Sequence, residues 1–178
     1  MKKLTISILI LFCMSCEKEA FDVNNPDVDT FVRQLKEGTY DHYKLGEDGE
    51  KLWPEIPNFT RKYIPLLINH SLDTTLICPS DHFPVNPISS LTPYRWDDGK
   101  ACIMIGEYLL WCVQGIIEHK TFASLAPILI NTNKTNDERL SGKEILEVVK
   151  LYQEWWEINS KIGDTDNLPL DGTIYFWR

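Results

Sequence analysis

Cys16 and Glu107 are the two residues whose sequence surroundings most favour chemistry. Cys16 follows Met1-Lys2-Lys3, the apolar stretch Leu4–Met14 and the small residue Ser15. A basic start, a short apolar segment and a small residue are typical of a signal peptide. A cysteine directly after such a segment is the acceptor of lipid in bacterial lipoproteins. We therefore predict cleavage before Cys16, diacylation of its thiol and insertion of the acyl chains into a membrane.

The same pattern divides the chain into three parts. Residues 1–15 are the predicted signal peptide, residues 16–25 a lipidated tether, and residues 26–178 a single domain long enough to enclose a hydrophobic core. A transmembrane anchor is one alternative, but it needs about 20 apolar residues, and Leu4–Met14 is shorter than that. An ordinary secreted protein is the other. We therefore expect an outer-membrane, lipid-anchored protein that faces the periplasm or the cell surface.

The charge of the chain disfavours one class of partner. The formal net charge is −8, and loss of Lys2 and Lys3 with the signal peptide makes it −10. A surface this negative repels the phosphate backbone of nucleic acids. We therefore expect no binding of nucleic acid. The expected contacts are a membrane, through the lipid on Cys16, and an envelope protein or a glycan.

Glu107 is the carboxylate that an acid–base mechanism would use. It lies in a strongly apolar stretch, and a partly buried glutamate can have a raised pKa and act as a general acid. A glycoside hydrolase needs a second carboxylate beside it, and no pattern identifies one. The structural alternative is an ion pair with an arginine such as Arg95. We therefore predict a non-catalytic protein, with a hydrolase that uses Glu107 as the least favoured hypothesis.

Tryptophans are the other candidate binding residues, and the chain has 6 of them. Trp53, Trp96 and Trp177 lie in predicted loops or near the C-terminus, where exposed rings can stack on sugars or anchor a protein interface. The structural alternative is that these rings pack the loops onto the helices. No spacing matches a zinc site or a cofactor motif. We therefore predict neither a metal nor a cofactor.

Three cysteines lie in the predicted domain, namely Cys78, Cys102 and Cys112. Disulfides persist outside the cytoplasm. Cys102 and Cys112 are predicted to lie on one helix, about 15 Å apart, which is too far for a bridge. Cys78 can therefore pair with either of them, but the favoured interpretation is three buried, unpaired thiols.

Apolar residues recurring with helical spacing predict four helices that position these residues. The helices run from Asn25-Pro26 to Gly38, from Thr60 to about Ser71, from Gly99 (capped by Asp97 or Asp98) to His119, and from the capping box Ser141-Gly142-Lys143-Glu144 to Gly163. The third is apolar on nearly all sides, with Glu107, Gln114 and Glu118 on one wet edge. Leu72–Asp98 is a long Pro-rich loop, and Thr173–Trp177 is β-prone. The predicted fold is mainly α, with about four helices and a short C-terminal β-like segment.

Several stretches of the predicted domain carry a family resemblance. They are Asn25–Asp29 through Leu35–Gly38, Pro57–Thr60, Phe83–Ser90, Gly106–Trp111 and Leu125–Leu129. These stretches resemble a group of small lipoproteins from Bacteroides-type bacteria that are classified as a domain of unknown function. The resemblance implies a lipid anchor and a mainly helical fold. It implies no activity and no site residues.

Overall fold

The fold combines helices with three small sheets. The structure, a computed structural model, describes residues 21–91, 95–135, 138–162 and 167–178. Of these residues, 34% are helical and 15% lie in strands. The protein is therefore mixed α/β, and the prediction of a mainly α domain is wrong. Four α-helices are present among the described residues, as predicted, but strands occupy segments predicted to be loop or helix.

Every sheet is antiparallel. The elements are α1 Val28–Glu37, β1 Tyr43–Leu45, β2 Lys51–Pro54, a 3₁₀ turn Arg61–Tyr63, α2 Ile64–His70, β3 Leu76–Ile77, β4 Arg95–Asp97, β5 Lys100–Met104, α3 Ile105–Ile117, β6 Leu129–Asn131, α4 Gly142–Asn159 and β7 Tyr175–Trp177. Strand β1 pairs with β2, β5 lies between β3 and β4, and β6 pairs with β7. The predicted C-terminal strand is confirmed, because β7 lies within it.

The third helix begins later than predicted because a hairpin precedes it. Asp98 and Gly99 have φ angles of 48° and 74°, which suit the two central residues of a tight hairpin turn. The turn brings Asp97 opposite Lys100 and continues the β4–β5 pairing. Of the two aspartates predicted to cap a helix, Asp97 therefore ends β4 and Asp98 lies in the turn. The Asp-Gly pair is the sequence feature that indicates this hairpin.

Helix α3 forms the centre of the hydrophobic core. All its residues except Ile116 are buried, as expected of a central helix, and α2, α4 and β5 pack against it. The prediction of a solvent-exposed edge on this helix is wrong for Glu107 and Gln114, which are 0% and 3% exposed. Among the described residues, no helix combines the length and the hydrophobicity needed to cross a bilayer.

Gly106 allows the start of α3 to approach the end of α2 closely. Its backbone N–H donates to the carbonyl of Asp73 at 2.8 Å. A Cβ at this position would lie 2.3 Å from the carbonyl oxygen of Ser71, which is closer than van der Waals contact permits. The missing side chain therefore determines how α2 and α3 pack.

Three other helix ends follow local sequence rules closely. Gly38, with φ 67°, ends α1 as predicted, but Asp27 rather than Asn25 caps its start by accepting from the Thr30 N–H at 2.7 Å. The predicted capping box of α4 is confirmed in Ser141 and Glu144. Partial burial opposes ionisation of Glu144, but hydrogen bonds from Lys134 and Ser141 outweigh it and hold the pKa at about 2.

The predicted tether meets the folded domain before its end. The ring of Phe21 packs against those of Phe31 and Tyr40, with centroids 6.0 and 5.6 Å apart. The carbonyl of Val23 accepts from the Asn58 N–H at 2.8 Å. Residues from Phe21 onward therefore contact the core, whereas Cys16 and the predicted signal peptide lie outside the described residues.

A disulfide joins Cys78 to Cys102, so the favoured prediction of three unpaired thiols is wrong. The prediction failed because it placed Cys102 on a helix, whereas Cys102 lies in β5, whose residues Ile103 and Met104 pair with β3 directly before Cys78. Cys112 is an unpaired, buried thiol on α3. Of the two pairings that the sequence left open, the structure therefore contains the one within the central sheet.

The disulfide leads to a prediction about stability. The paired change Cys78→Ala and Cys102→Ala should lower the free energy of unfolding by about 3 kcal/mol, because the bridge restricts the loop it closes in the unfolded chain. Urea unfolding followed by circular dichroism measures the change. Dithiothreitol should lower the stability of the wild-type protein similarly and leave the double variant unaffected. Equal stability of the oxidised and fully reduced wild-type protein would contradict the prediction.

Candidate functional site

Glu107 is completely buried, and three donors meet its two carboxylate oxygens. Arg95 Nη2 donates to Oε2 at 3.0 Å, and Arg139 Nη2 donates to Oε1 at 3.0 Å. The backbone N–H of Leu129 also donates to Oε1, at 3.0 Å. The side chain of Glu107 is 0% exposed, while those of Arg95 and Arg139 are 16% and 17% exposed. The carboxylate is therefore shielded from water, and the two guanidinium groups lie between it and the surface.

Four parts of the fold bring these groups together. Glu107 lies in the first turn of α3, where the helix dipole favours a negative charge. Arg95 belongs to β4, Leu129 to β6, and Arg139 precedes the capping residue of α4. The predicted pair of Glu107 with Arg95 is confirmed. Arg139 was missed, because its 32-residue separation from Glu107 leaves no periodic pattern in the sequence.

The electrostatics of this cluster, in which Arg95 and Arg139 pair with the carboxylate of Glu107, suit a structural role. Burial lowers the pKa of Arg139 and the charge of Arg95 acts in the same direction, while Glu107 opposes both. Both carboxylate oxygens of Glu107 accept hydrogen bonds from groups of the protein itself. Among the described residues, no second carboxylate contacts Glu107. The described part of the cluster therefore does not include the paired acid that glycoside hydrolysis requires.

The three candidate tryptophans lie in three different sheets. Trp53 is on β2 and 36% exposed. Trp177 is on β7 and partly buried, and its Nε1–H donates to the hydroxyl of Tyr152 at 2.8 Å. Trp96 is on β4, paired with Ala101, and its side chain lies outside the described part of the chain. No single sheet therefore carries these residues as a common stacking surface.

The contact of Trp177 belongs to a buried polar chain across the core. The hydroxyl of Tyr152 donates to Gln114 Oε1 at 2.5 Å, and Gln114 Nε2 donates to Glu118 Oε1 at 2.5 Å. Glu118 in turn accepts from Lys120. Burial raises the pKa of Tyr152 well above its usual range. The hydroxyl therefore stays protonated and can donate to Gln114, linking β7 and α4 to α3.

The β1–β2 hairpin contrasts with this core because both of its strands are largely uncovered. Leu45, Leu52 and Trp53 are 56%, 43% and 36% exposed. The burial patterns of the two strands contain no fully buried residue. A two-stranded hairpin is marginally stable on its own, and strands normally cover at least one face. The hairpin therefore exposes apolar side chains that would be buried in most sheets.

A cavity of about 470 Å³ lies beside the C-terminal end of α3. Residues 56–61 form one wall; the remaining lining comprises Cys112, Gly115, Ile116 and residues 119–121. Its volume falls within the range typical of ligand sites, about 300–1,000 Å³. Burial raises the pKa of the Cys112 thiol to about 12, so this thiol is uncharged at neutral pH. We call this space the Arg61 cavity.

No cluster of three or more His, Cys, Asp or Glu side chains suited to a metal occurs among the residues that the structure describes.

A family model described as a domain of unknown function (DUF4943) matches residues 22–178. No match was found among curated proteins or among solved structures. The comparisons therefore name a family and assign no activity.

The cluster of Glu107, Arg95 and Arg139 leads to a prediction about stability. Glu107→Gln should lower the free energy of unfolding by about 3–5 kcal/mol, because it removes the charge that compensates two largely buried guanidinium groups. Urea unfolding measures this loss. Glu154→Gln, an exposed position on α4, is the matched control and should change stability by no more than about 0.5 kcal/mol. If Glu107→Gln had the same free energy of unfolding as this control, the ion pairs of Glu107 would not stabilise the fold.

Proposed function

The chain belongs to the family described as a domain of unknown function (DUF4943), which assigns no activity, and we propose a function from the residues of the chain itself. It is a lipid-anchored, non-catalytic protein of the cell envelope that binds a protein partner through the β1–β2 hairpin. The observation that carries this proposal is the uncovered hairpin with exposed Leu45, Leu52 and Trp53.

Two features support a location in the envelope. The basic start, the apolar stretch Leu4–Met14 and the small residue before Cys16 favour lipidation at that cysteine. The Cys78–Cys102 disulfide suits the compartments outside the cytoplasm, where such bonds persist. The resemblance to small lipoproteins of Bacteroides-type bacteria points the same way. We infer attachment to the outer membrane through acyl chains on Cys16.

The chemistry of the hairpin indicates what kind of partner fits it. Its strands offer exposed apolar side chains, and aromatic residues such as Trp53 are common anchors of protein interfaces. The connection between the strands is acidic, with Glu47, Asp48 and Glu50 all exposed. Opposite charges across an interface steer association and fix its register. The partner is therefore a protein with an apolar groove bordered by basic side chains.

The other two hypotheses have weaker support. A glycan-binding protein would need exposed aromatic rings, and of the candidates Trp53 is exposed whereas Trp177 is bound to Tyr152. A hydrolase would need Glu107 beside a second acid, whereas its described partners are Arg95, Arg139 and a backbone N–H. Glycan binding through Trp53 remains the alternative function that the experiment below distinguishes.

The lipid anchor is tested by fractionation. Cys16→Ser should move the protein out of the membrane fraction, because the thiol that accepts the first lipid is lost. Immunoblots of membrane and soluble fractions measure the distribution, and Cys13→Ser, a change inside the predicted signal peptide, is the matched control. Membrane retention of Cys16→Ser after washing at high salt would contradict lipidation at this cysteine.

The hairpin is tested by site-specific photocrosslinking in cells that produce the full lipoprotein. A benzoylphenylalanine at Trp53 should give one dominant protein adduct, whereas the same probe at Phe176, a similarly exposed aromatic residue on β7, should not. The paired change Leu45→Ser and Leu52→Ser should remove the adduct, and replacing the acidic tip residues by lysine should weaken it.

Two outcomes would contradict the hairpin proposal. Identical adducts from Trp53 and Phe176 would show non-specific proximity. Absence of any adduct, together with retention on immobilised polysaccharide that is lost in Trp53→Ala, would instead support the glycan alternative.

A further inference from the structure

The Arg61 cavity carries positive charge in a strongly acidic protein. Three of its lining residues, Arg61, His119 and Lys120, are basic, and the lining contains no aspartate or glutamate. The whole chain, by contrast, has a formal net charge of −8. A concave site of one sign lowers the free energy of a ligand of the opposite sign. The cavity therefore selects for a negative group.

Lys120 and Arg61 contribute differently to this charge. The ammonium group of Lys120 is already paired with the carboxylate of Glu118. Arg61 donates from Nη2 to the backbone carbonyl of Asn159 at 2.7 Å. No described carboxylate forms an ion pair with Arg61; its described partners are the carbonyl of Asn159 and the rings of Trp155 and Trp156. Arg61 is therefore the cation available to a ligand.

The guanidinium of Arg61 is also held in place before any ligand arrives. It lies 5.6 Å from the ring centroid of Trp155 and 5.3 Å from that of Trp156. Its hydrogen bond to Asn159 reaches the last residue of α4, where the helix dipole favours a cation. Of the five N–H donors of an arginine, the described contacts use one. The group is therefore oriented and retains donors for an anion, and such preorganisation reduces the entropy lost on binding.

The rest of the cavity suits an apolar body. Ile56, Phe59 and Ile116 contribute aliphatic and aromatic surface, and the protonated thiol of Cys112 adds a further uncharged wall. An apolar lining with a few placed polar groups is the usual composition of small-molecule sites. Asn58, Thr60 and Thr121 supply neutral hydrogen-bonding groups in the lining.

We propose that the Arg61 cavity binds a small organic anion, with its acidic group on the guanidinium of Arg61 and its apolar body against Ile56, Phe59 and Ile116. The acidic group is a carboxylate or a sulfonate, both of which accept paired hydrogen bonds from arginine. The lining includes no residue of β1 or β2, so this proposal does not rest on the function proposed for the hairpin. The proposal adds a small-molecule ligand to the protein partner proposed above.

Two fluorescent probes with the same apolar body test the proposal. They are 8-anilinonaphthalene-1-sulfonate, which carries a negative charge, and N-phenyl-1-naphthylamine, which does not. The protein is the mature chain, residues 16–178, with Cys16→Ser to keep it free of lipid. The anionic probe should bind with one saturable site and at least about tenfold more tightly than the neutral probe, since hydrogen bonds between an arginine and an anionic group are stronger than neutral ones.

Variants then assign the binding to the cavity. Arg61→Gln should abolish the preference for the anionic probe, and Lys62→Gln, which removes the neighbouring exposed charge outside the lining, should preserve it. Ile116→Trp should block both probes by filling the cavity. Circular dichroism and thermal unfolding establish that each variant is folded.

Results that would overturn the proposal are equally specific. Equal affinity of the wild-type protein for the two probes would overturn the proposal. This comparison needs no variant, so it holds even if Arg61→Gln fails to fold. Tight binding of the anionic probe to both Arg61→Gln and Ile116→Trp would place the site elsewhere. Loss of binding after the hairpin change Leu45→Ser and Leu52→Ser would assign it to the exposed hairpin instead.

Discussion

The ion cluster of Glu107 with Arg95 and Arg139 is the constraint on which the rest of the structure depends. A buried carboxylate is tolerated only when charge and hydrogen bonds compensate for its lost hydration. Here the compensation comes from β4, from the backbone of β6 and from the segment before α4. The position of α3, which carries the carboxylate, is therefore coupled to three other parts of the fold.

Beside this cluster, the buried Tyr152 and Gln114 also form hydrogen bonds with other side chains of the core, so the features proposed here for function lie at the periphery. The side chains of Trp177, Tyr152 and Gln114 are joined to one another in a polar chain. Two features remain with unused binding capacity among the described residues. One is the β1–β2 hairpin with its apolar strands and acidic tip, and the other is the Arg61 cavity, in whose described residues Arg61 has no carboxylate partner. They suit different ligands because their charges are opposite.

Sequence patterns predicted those features of the fold that depend on neighbouring residues. The capping box of Ser141 and Glu144, the glycine end of α1 at Gly38, the buried character of α3 and the strand at the C-terminus all follow from residues within about one or two helical turns of each other. The Asp98-Gly99 pair also indicates a hairpin from local sequence, but the helical spacing of the apolar residues after it favoured a helix. Its omission placed Cys102 on a helix and concealed the disulfide.

The sequence by itself determined the local elements, the acidic surface and the candidate lipidation of Cys16, because each depends on composition or on short-range spacing. Only the tertiary structure decided which distant groups meet. It brought Arg139 to Glu107, Cys78 to Cys102, and Arg61 to the end of α4. It also decided that the β1–β2 hairpin is left uncovered. These outcomes depend on how the helices and sheets pack around α3, and packing brings together residues whose separation in the chain follows no period.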